Sequence, residues 1–247
     1  MVNPLIHFAG SFSPDQIQTE WYDLPRSLPP QVEEIIDAQW QRAIARPGIH
    51  LFDGPMLRLN GWSIDRGSLH LTFSPTSYKQ FWGTNLHHPE LADQFGPDVL
   101  ANPLGLSAAL QSADGFLLLG RRNARVAYYP NRIHPFAGSA ETTDIFSEIR
   151  RELSEELSLS ARDIAELRCL GLAEDTSIRQ PEIIFSAVSN LTREQIESRL
   201  NAAEHTALWS VRCNPLELPA VLKENDLTPI AVATLKLCSR HLRDAGQ

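Results

Sequence analysis

Apolar residues recur along this chain at two spacings, and the switches between them mark out the elements. Spacing of three and four residues predicts helices over residues 32–45, 144–157, 192–202 and 229–242, because a helix brings such positions onto one face. Alternation at period two predicts strands over 57–64, 69–73 and 206–211, and short apolar runs predict two more near 169–173 and 183–188. Pro47-Gly48 stops the first helix, and Asp65-Arg66-Gly67 joins the first two strands as a hairpin. Asp114-Gly115, set between apolar runs at 106–112 and 116–122, is a stronger hairpin signal, since Asp-Gly suits the tight turn that matches strand twist. Thr192 followed by Gln195 forms a capping box at the third helix. The first thirty residues hold five prolines and little periodicity, including Leu24-Pro25 and Leu28-Pro29-Pro30, and read as an ordered arm rather than helix or strand. An aromatic, turn-rich stretch beginning Tyr78-Lys-Gln-Phe-Trp-Gly-Thr-Asn85 ends at Asn102-Pro103, where the texture changes. The predicted organisation is a small α+β extension over residues 1–100, then a mixed α/β unit over 101–247.

Composition narrows the class. A chain of 247 residues, 43% hydrophobic and 21% charged, has enough apolar mass for a substantial core. Its net charge of −8 argues against a nucleic-acid partner held through phosphate contacts, so a polyanionic ligand needs locally placed Arg, Lys or metal. No apolar run approaches the ~20 residues that span a bilayer, and the amino terminus lacks a basic segment followed by an apolar stretch. The expectation is a cytoplasmic protein with no membrane partner. Cys169, Cys213 and Cys238 are widely spaced, without C-x-x-C, and read as reduced structural residues. His87-His88 lacks a second ligand pair, and neither G-x-S-x-G nor a P-loop occurs.

The 144–157 helix carries the chemistry. Ile145, Phe146, Ile149, Leu153 and Leu157 form an apolar stripe, while Glu148, Glu152, Glu155 and Glu156 gather on an adjoining arc. With Ile145 at zero, Glu152 falls at about 340° and Glu156 at about 20°, inside the edge of the apolar arc at 100° per residue. Acids at these spacings repel, and a half-buried carboxylate needs a cation or hydrogen bonds. A solvated acidic face is the alternative. Oxygen ligands without His or Cys favour Mg²⁺, with Mn²⁺ as the substitute.

Arg151-Glu-Leu-Ser-Glu-Glu-Leu-Ser-Leu159 resembles the second half of the Nudix box, G-x5-E-x7-R-E-U-x-E-E-x-G-U with U apolar. Arg151, Glu152, Leu153, Glu155, Glu156 and Leu159 match. Ala137, Thr143 and Ser158 stand where the pattern has Gly, Glu and Gly, with Gly138 an alternative glycine and Asp144 or Glu141 an alternative acid. The resemblance implies a Nudix α/β/α sandwich with a mixed sheet behind the extension. It also implies Glu152 and Glu156 as principal metal ligands, Glu155 as a further or water-mediated one, Arg151 as organiser of the loop, and a carbonyl at Ala137 or Gly138 completing the site. The general base varies in this family, and Glu182 and Glu204 are the candidates here.

Beyond the box, Tyr78–Asn85, Asn102-Pro-Leu-Gly-Leu-Ser-Ala-Ala-Leu110 and Ala113-Asp-Gly-Phe-Leu-Leu-Leu-Gly-Arg-Arg122 resemble the UDP-glucose/UDP-galactose pyrophosphatase branch. That implies hydrolysis of a nucleotide sugar, UDP-hexose to UMP and hexose 1-phosphate. Arg121, Arg122 and Arg125 suit phosphate, because Arg makes bidentate charge-assisted bonds, with one of the three expected to be a surface salt-bridge residue. Tyr78, Phe81, Trp82 and Tyr128 are stacking candidates or core. Thr84 and Asn85 are either ligands or a turn shaping the pocket. A Nudix enzyme for ADP-ribose or another nucleoside diphosphate derivative, and a Nudix-fold binding protein without catalysis, are the rival readings.

Overall fold

Gly105–Gln111 is buried along nearly its whole length, so it has to lie in the middle of a sheet covered on both faces. The computed structural model, which describes all residues except 1–2, 25, 49–50, 127, 223–225 and 246–247, puts it there. In chain order the elements are β1 (Leu5–Phe12), β2 (Ile17–Trp21), α1 (Pro30–Ile44), β3 (Pro55–Asp65), β4 (Ser68–Ser77), α2 (Tyr78–Phe81), α3 (Leu91–Phe95), β5 (Gly105–Gln111), β6 (Phe116–Arg122), β7 (Ile133–His134), β8 (Phe136–Ser139), α4 (Ile145–Leu157), β9 (Ile164–Asp175), β10 (Gln180–Ser189), α5 (Arg193–Glu197), β11 (His205–Arg212), α6 (Leu218–Val221) and α7 (Pro229–Ala245). An eight-stranded sheet runs β1-β9-β10-β5-β6-β11, with β7 against β6 and β8 against β5. Only β10–β5 is parallel among its pairings, so the sheet is mixed.

Alternation along β5 and β6 sends Leu106, Ala108, Leu110 and Leu118 to one face and Ala109, Leu117 and Leu119 to the other. The first face packs on the apolar stripe of α4, and the second on α7 through Ile230, Ala231, Ala233, Leu235 and Cys238. The result is the expected α/β/α sandwich. A three-stranded sheet, β2-β4-β3, adds Leu57, Leu59, Leu69, Leu71 and Phe73 to the α4-side core. That core therefore runs unbroken from residues of the 1–100 segment into the sandwich. Among the described residues no helix is long and apolar enough to cross a membrane.

Three local expectations are corrected. The first thirty residues form β1 and β2, because Phe8 and Phe12 gain a buried face by pairing antiparallel with β9, and β2 pairs parallel with β4; Pro25 lies outside the described residues. Residues 78–86 are helical rather than turn-rich, α2 running on into a π-helical turn at Trp82–Leu86. The helix expected over 192–202 starts as its capping box predicts but stops at Glu197, and the chain turns back so that the Asn201 N–H donates to the Glu156 carbonyl at 2.7 Å.

Helix α4 begins with Asp144 as N-cap, accepting from the Ser147 N–H, and ends at Ser158 with φ 53° and ψ 35°. This left-handed cap is a conformation Gly adopts freely, whereas other L-residues lose roughly 1 kcal/mol there. Ser158→Gly is expected to stabilise the fold by about 0.5–1 kcal/mol, read as a higher urea midpoint at unchanged m-value. An unchanged or lower midpoint would contradict the cap assignment.

Candidate active site

Glu148, Glu152 and Glu156 recur at four-residue spacing beside the apolar stripe of α4, so seating the stripe carries all three into the interface. They are 7%, 7% and 2% exposed. Each carboxylate is compensated differently. Glu148 accepts from Thr142 Oγ1 at 2.8 Å and pairs with Arg151 at 3.0 Å. Glu152 lies 2.7 Å from Arg151 Nη2 and presses on Gly138 of β8, where a β-carbon would fall 2.0 Å from Glu152 Oε1. Only glycine leaves that space, which singles out Gly138 over Ala137 as the glycine facing the helix. Glu156 Oε1 lies 3.3 Å from His205 Nε2, its Oε2 is buried without a donor, and the Glu204 carboxyl comes within hydrogen-bond reach of the Glu156 side chain.

The electrostatics follow from burial. Glu152 is pushed up to about 7, first by desolvation, with Arg151 opposing and the charges of Glu155 and Glu204 adding. Burial raises Glu156 well above the ordinary carboxylate range, and the charge of Glu204 and a hydrogen bond shared with its carboxyl raise it further. Glu204, at the entrance to β11, is thus brought to the Glu152–Glu156 pair. Glu155 is 57% exposed at its side chain and is taken up by Arg151 at 3.1 Å. Among the described residues no group of three or more His, Cys, Asp or Glu side chains is gathered closely enough to hold a metal. Two buried carboxylates a turn apart, one oxygen that no donor reaches and a third acid nearby nevertheless form an oxygen donor set short of positive charge. This set fits a hard divalent cation.

Arg122 joins a second group to the first. Its guanidinium lies 4.9 Å from the Tyr128 ring centroid, its Nε is buried without a partner, and its charge acts on Glu156, His205 and Glu182. Glu182, 5% exposed, is pushed up to about 7, chiefly by burial. Tyr128 is raised to about 12 by burial, in a neighbourhood that includes Asp175 and Tyr78. Tyr78 itself packs edge-on or tilted among Trp40, Phe81 and Trp82. A cleft of about 340 Å³ lined by Asn60, Trp62, Asn102, Arg179 and Pro181 opens beside Glu182's neighbour in sequence but includes none of the α4 acids.

The remaining predicted residues lie apart from this group. Arg121 faces the opposite side of β6 and pairs with Asp226 at 2.7 Å. Thr84 and Asn85 are 0% exposed. Thr84 Oγ1 donates to the Gln80 carbonyl and accepts from the Ala101 N–H, while Asn85 Nδ2 donates to the carbonyls of Ile178 and Arg179. Their polar atoms are spent inside the fold. Of the alternative acids, Asp144 serves as a cap and Glu141 is exposed, so Arg151 finds its buried acid in Glu148. Sequence reasoning placed Glu148 on the acidic arc without a role and passed over His205. The inward turn of His205 depends on β11 pairing with β6, and only its position beside Glu204 pointed to it.

No protein-family model matches the chain. Among curated proteins, the human protein named uridine diphosphate glucose pyrophosphatase NUDT22 is 31% identical over 223 residues, covering 76% of this chain and 73% of that protein. The Mus musculus protein of the same name is 27% identical, covering 90% and 89%, and the Bos taurus one is 29% identical, covering 69% and 70%. Looser likenesses among solved structures include a mutT/nudix family protein from Listeria innocua, 18% identical with a TM-score of 0.45 over 59% of this chain and 96% of that one. A MutT protein from Methanosarcina mazei Go1 is 16% identical with a TM-score of 0.41 over 57% and 95%. The chain belongs to the Nudix hydrolase family. Within it, the curated relatives it matches all carry the name of a UDP-glucose pyrophosphatase.

The raised Glu182 carboxyl has a consequence for stability. Because its folded pKa of about 7 exceeds the ordinary 4.5, its protonation favours the folded state below pH 4.5, and that contribution is lost as pH rises from 4.5 through 7. At about 1.4 kcal/mol per unit the full loss is on the order of 3 kcal/mol. Glu182→Gln, in metal-free buffer, is expected to flatten this part of the stability–pH curve and to gain on the parent between pH 5 and 8. Parallel curves for the two proteins would refute the assignment.

Proposed function

We propose that this chain is a divalent-metal-dependent pyrophosphohydrolase of a nucleoside diphosphate sugar, cleaving UDP-glucose or UDP-galactose to UMP and hexose 1-phosphate. The observation that carries the reading is the buried Glu152–Glu156 pair, with one oxygen that no donor reaches, in a chain whose curated relatives are named for UDP-glucose. Glu152 and Glu156 would hold Mg²⁺, or Mn²⁺ in its place, with Glu155 through water and the carbonyl of Gly138 completing the set. When bound, such an ion neutralises diphosphate charge and acidifies water. Arg151 braces Glu148, Glu152 and Glu155 and so fixes the acidic face. Arg122, held against Tyr128 and close enough for its charge to act on Glu156, supplies the cation that meets the diphosphate. Glu204 is the favoured base, since its charge acts on both metal-face carboxylates; Glu182 is the alternative, poised near neutrality. The phosphate charge is met by local cations despite the overall net charge of −8.

The test is a panel of nucleotide sugars, ADP-ribose and dinucleotides with Mg²⁺, read as phosphate freed by a coupled phosphatase. UDP-hexoses are expected to rank first. Ranking below ADP-ribose would overturn the substrate, and no turnover of any member would leave a binding protein. Glu156→Gln is expected to lower Mg²⁺-dependent turnover on the order of 10³-fold; unchanged turnover would remove Glu156 from the site.

A further inference from the structure

Glu148 and Glu152 share Arg151 of their own helix, but Glu156 is met from outside it. His205 opens β11, and the backbone around it is clamped to the last turn of α4: the Asn201 N–H donates to the Glu156 carbonyl at 2.7 Å and Asn201 Nδ2 donates to the Glu155 carbonyl at 3.1 Å. The imidazole is 2% exposed and closed in on its other sides. Phe136 packs against it at 5.4 Å and 77°. Gly120 of β6 lies under the ring, and a β-carbon there would fall 2.2 Å from Nδ1. Nδ1 is buried with no hydrogen-bond partner, whereas Nε2 comes within 3.3 Å of Glu156 Oε1. A proton on Nδ1 would be a buried donor without an acceptor, while on Nε2 it meets a carboxylate, so the surroundings select the Nε2–H tautomer.

We propose that His205 is a positioning residue for the metal site: its Nε2–H engages Glu156 Oε1 and fixes the carboxylate so that Oε2, the oxygen that no donor reaches, is the one presented to the cation beside Glu204. The proposal rests on reading Glu156 as a metal ligand. Holding one oxygen narrows the rotamers open to the carboxylate, which is how partners behind a ligand raise metal affinity, typically by 10–100-fold. Gly120 supplies the room for the ring, and the Asn201 clamp keeps β11 in step with α4.

The experiment measures Mn²⁺ affinity by electron paramagnetic resonance, together with the Mg²⁺ dependence of turnover. The full chain is compared with Glu156→Gln, His205→Ala, His205→Gln and His205→Asn. Glu156→Gln tests the underlying reading; retained Mn²⁺ affinity in that variant would overturn the reading itself. If that affinity is lost, His205→Ala is expected to weaken Mn²⁺ binding 10–100-fold and raise the half-saturating Mg²⁺ equally, with nucleotide KM unchanged at saturating metal. His205→Gln, whose amide nitrogen reaches the place of Nε2, is expected to recover most of the affinity, and His205→Asn, which reaches only the place of Nδ1, is not. Parent-like Mn²⁺ affinity in His205→Ala would overturn the proposal. Should His205→Ala fail to fold, the Gln–Asn pair decides it, equal affinities in the two counting against a hydrogen bond from Nε2.

Discussion

A carboxylate at the margin of an apolar helix stripe loses its water when the stripe packs, and the protein must supply something in exchange. Helix α4 imposes this exchange three times. Burying Ile145, Phe146, Ile149, Leu153 and Leu157 is worth roughly 1.5–3 kcal/mol per side chain, so the helix cannot roll its acids out to solvent without surrendering more than it gains. Glu148 receives an arginine and a hydroxyl, Glu152 shares that arginine, and Glu156 receives an imidazole. The compensation thins toward the C-terminal turn, where one oxygen is left without a donor. Strand β8 at Gly138, the turn at Asn201 and the start of β11 all pack against this row of acids.

How much could be read in advance follows from how local each interaction is. The α4 boundaries, its acidic arc, the Asp114-Gly115 hairpin, the Thr192 cap and the final helix are encoded within a few residues of themselves, and the structure carries all of them. Strands β1 and β2 were illegible because their partners are remote: Phe8 pairs with Leu172 and Trp21 with Phe73, and prolines between them suppress the period-two pattern. The helix after Thr192 ends early because Asn201 is recruited by the carbonyls of α4, a tertiary demand that overrides propensity. The same distinction runs through the site. Glu152 and Glu156 declare themselves on a helical wheel. Thr84 and Asn85 looked available for a ligand, but each meets a carbonyl or N–H supplied by the fold. Arg121 and Arg122 are indistinguishable in sequence, yet strand alternation sends one to Asp226 and the other to the acids.

The segment before residue 101 is bound to the sandwich by polar clamps as well as by shared core. The Leu57 N–H donates to the Ala140 carbonyl at 2.8 Å and its carbonyl accepts from the Leu104 N–H at 2.8 Å, and Asn85 reaches the carbonyls of Ile178 and Arg179 at the β9–β10 turn. That turn leads directly into Pro181 and Glu182. Movement of the helical stretch at 78–86 would therefore be felt where Glu182 leaves the turn, through two hydrogen bonds to backbone.

The pairing of β1 with β9 also sets an order of events. Loop closure over such a separation costs more entropy than the nearby hairpins do, so β5–β6 and β3–β4 can form while the partner of β1 is still distant. During synthesis the chain releases Phe8 and Phe12 long before Leu172 and Cys169 exist to cover them. The amino-terminal strand must wait as an unpaired apolar edge, the period in which a nascent chain most needs protection from aggregation.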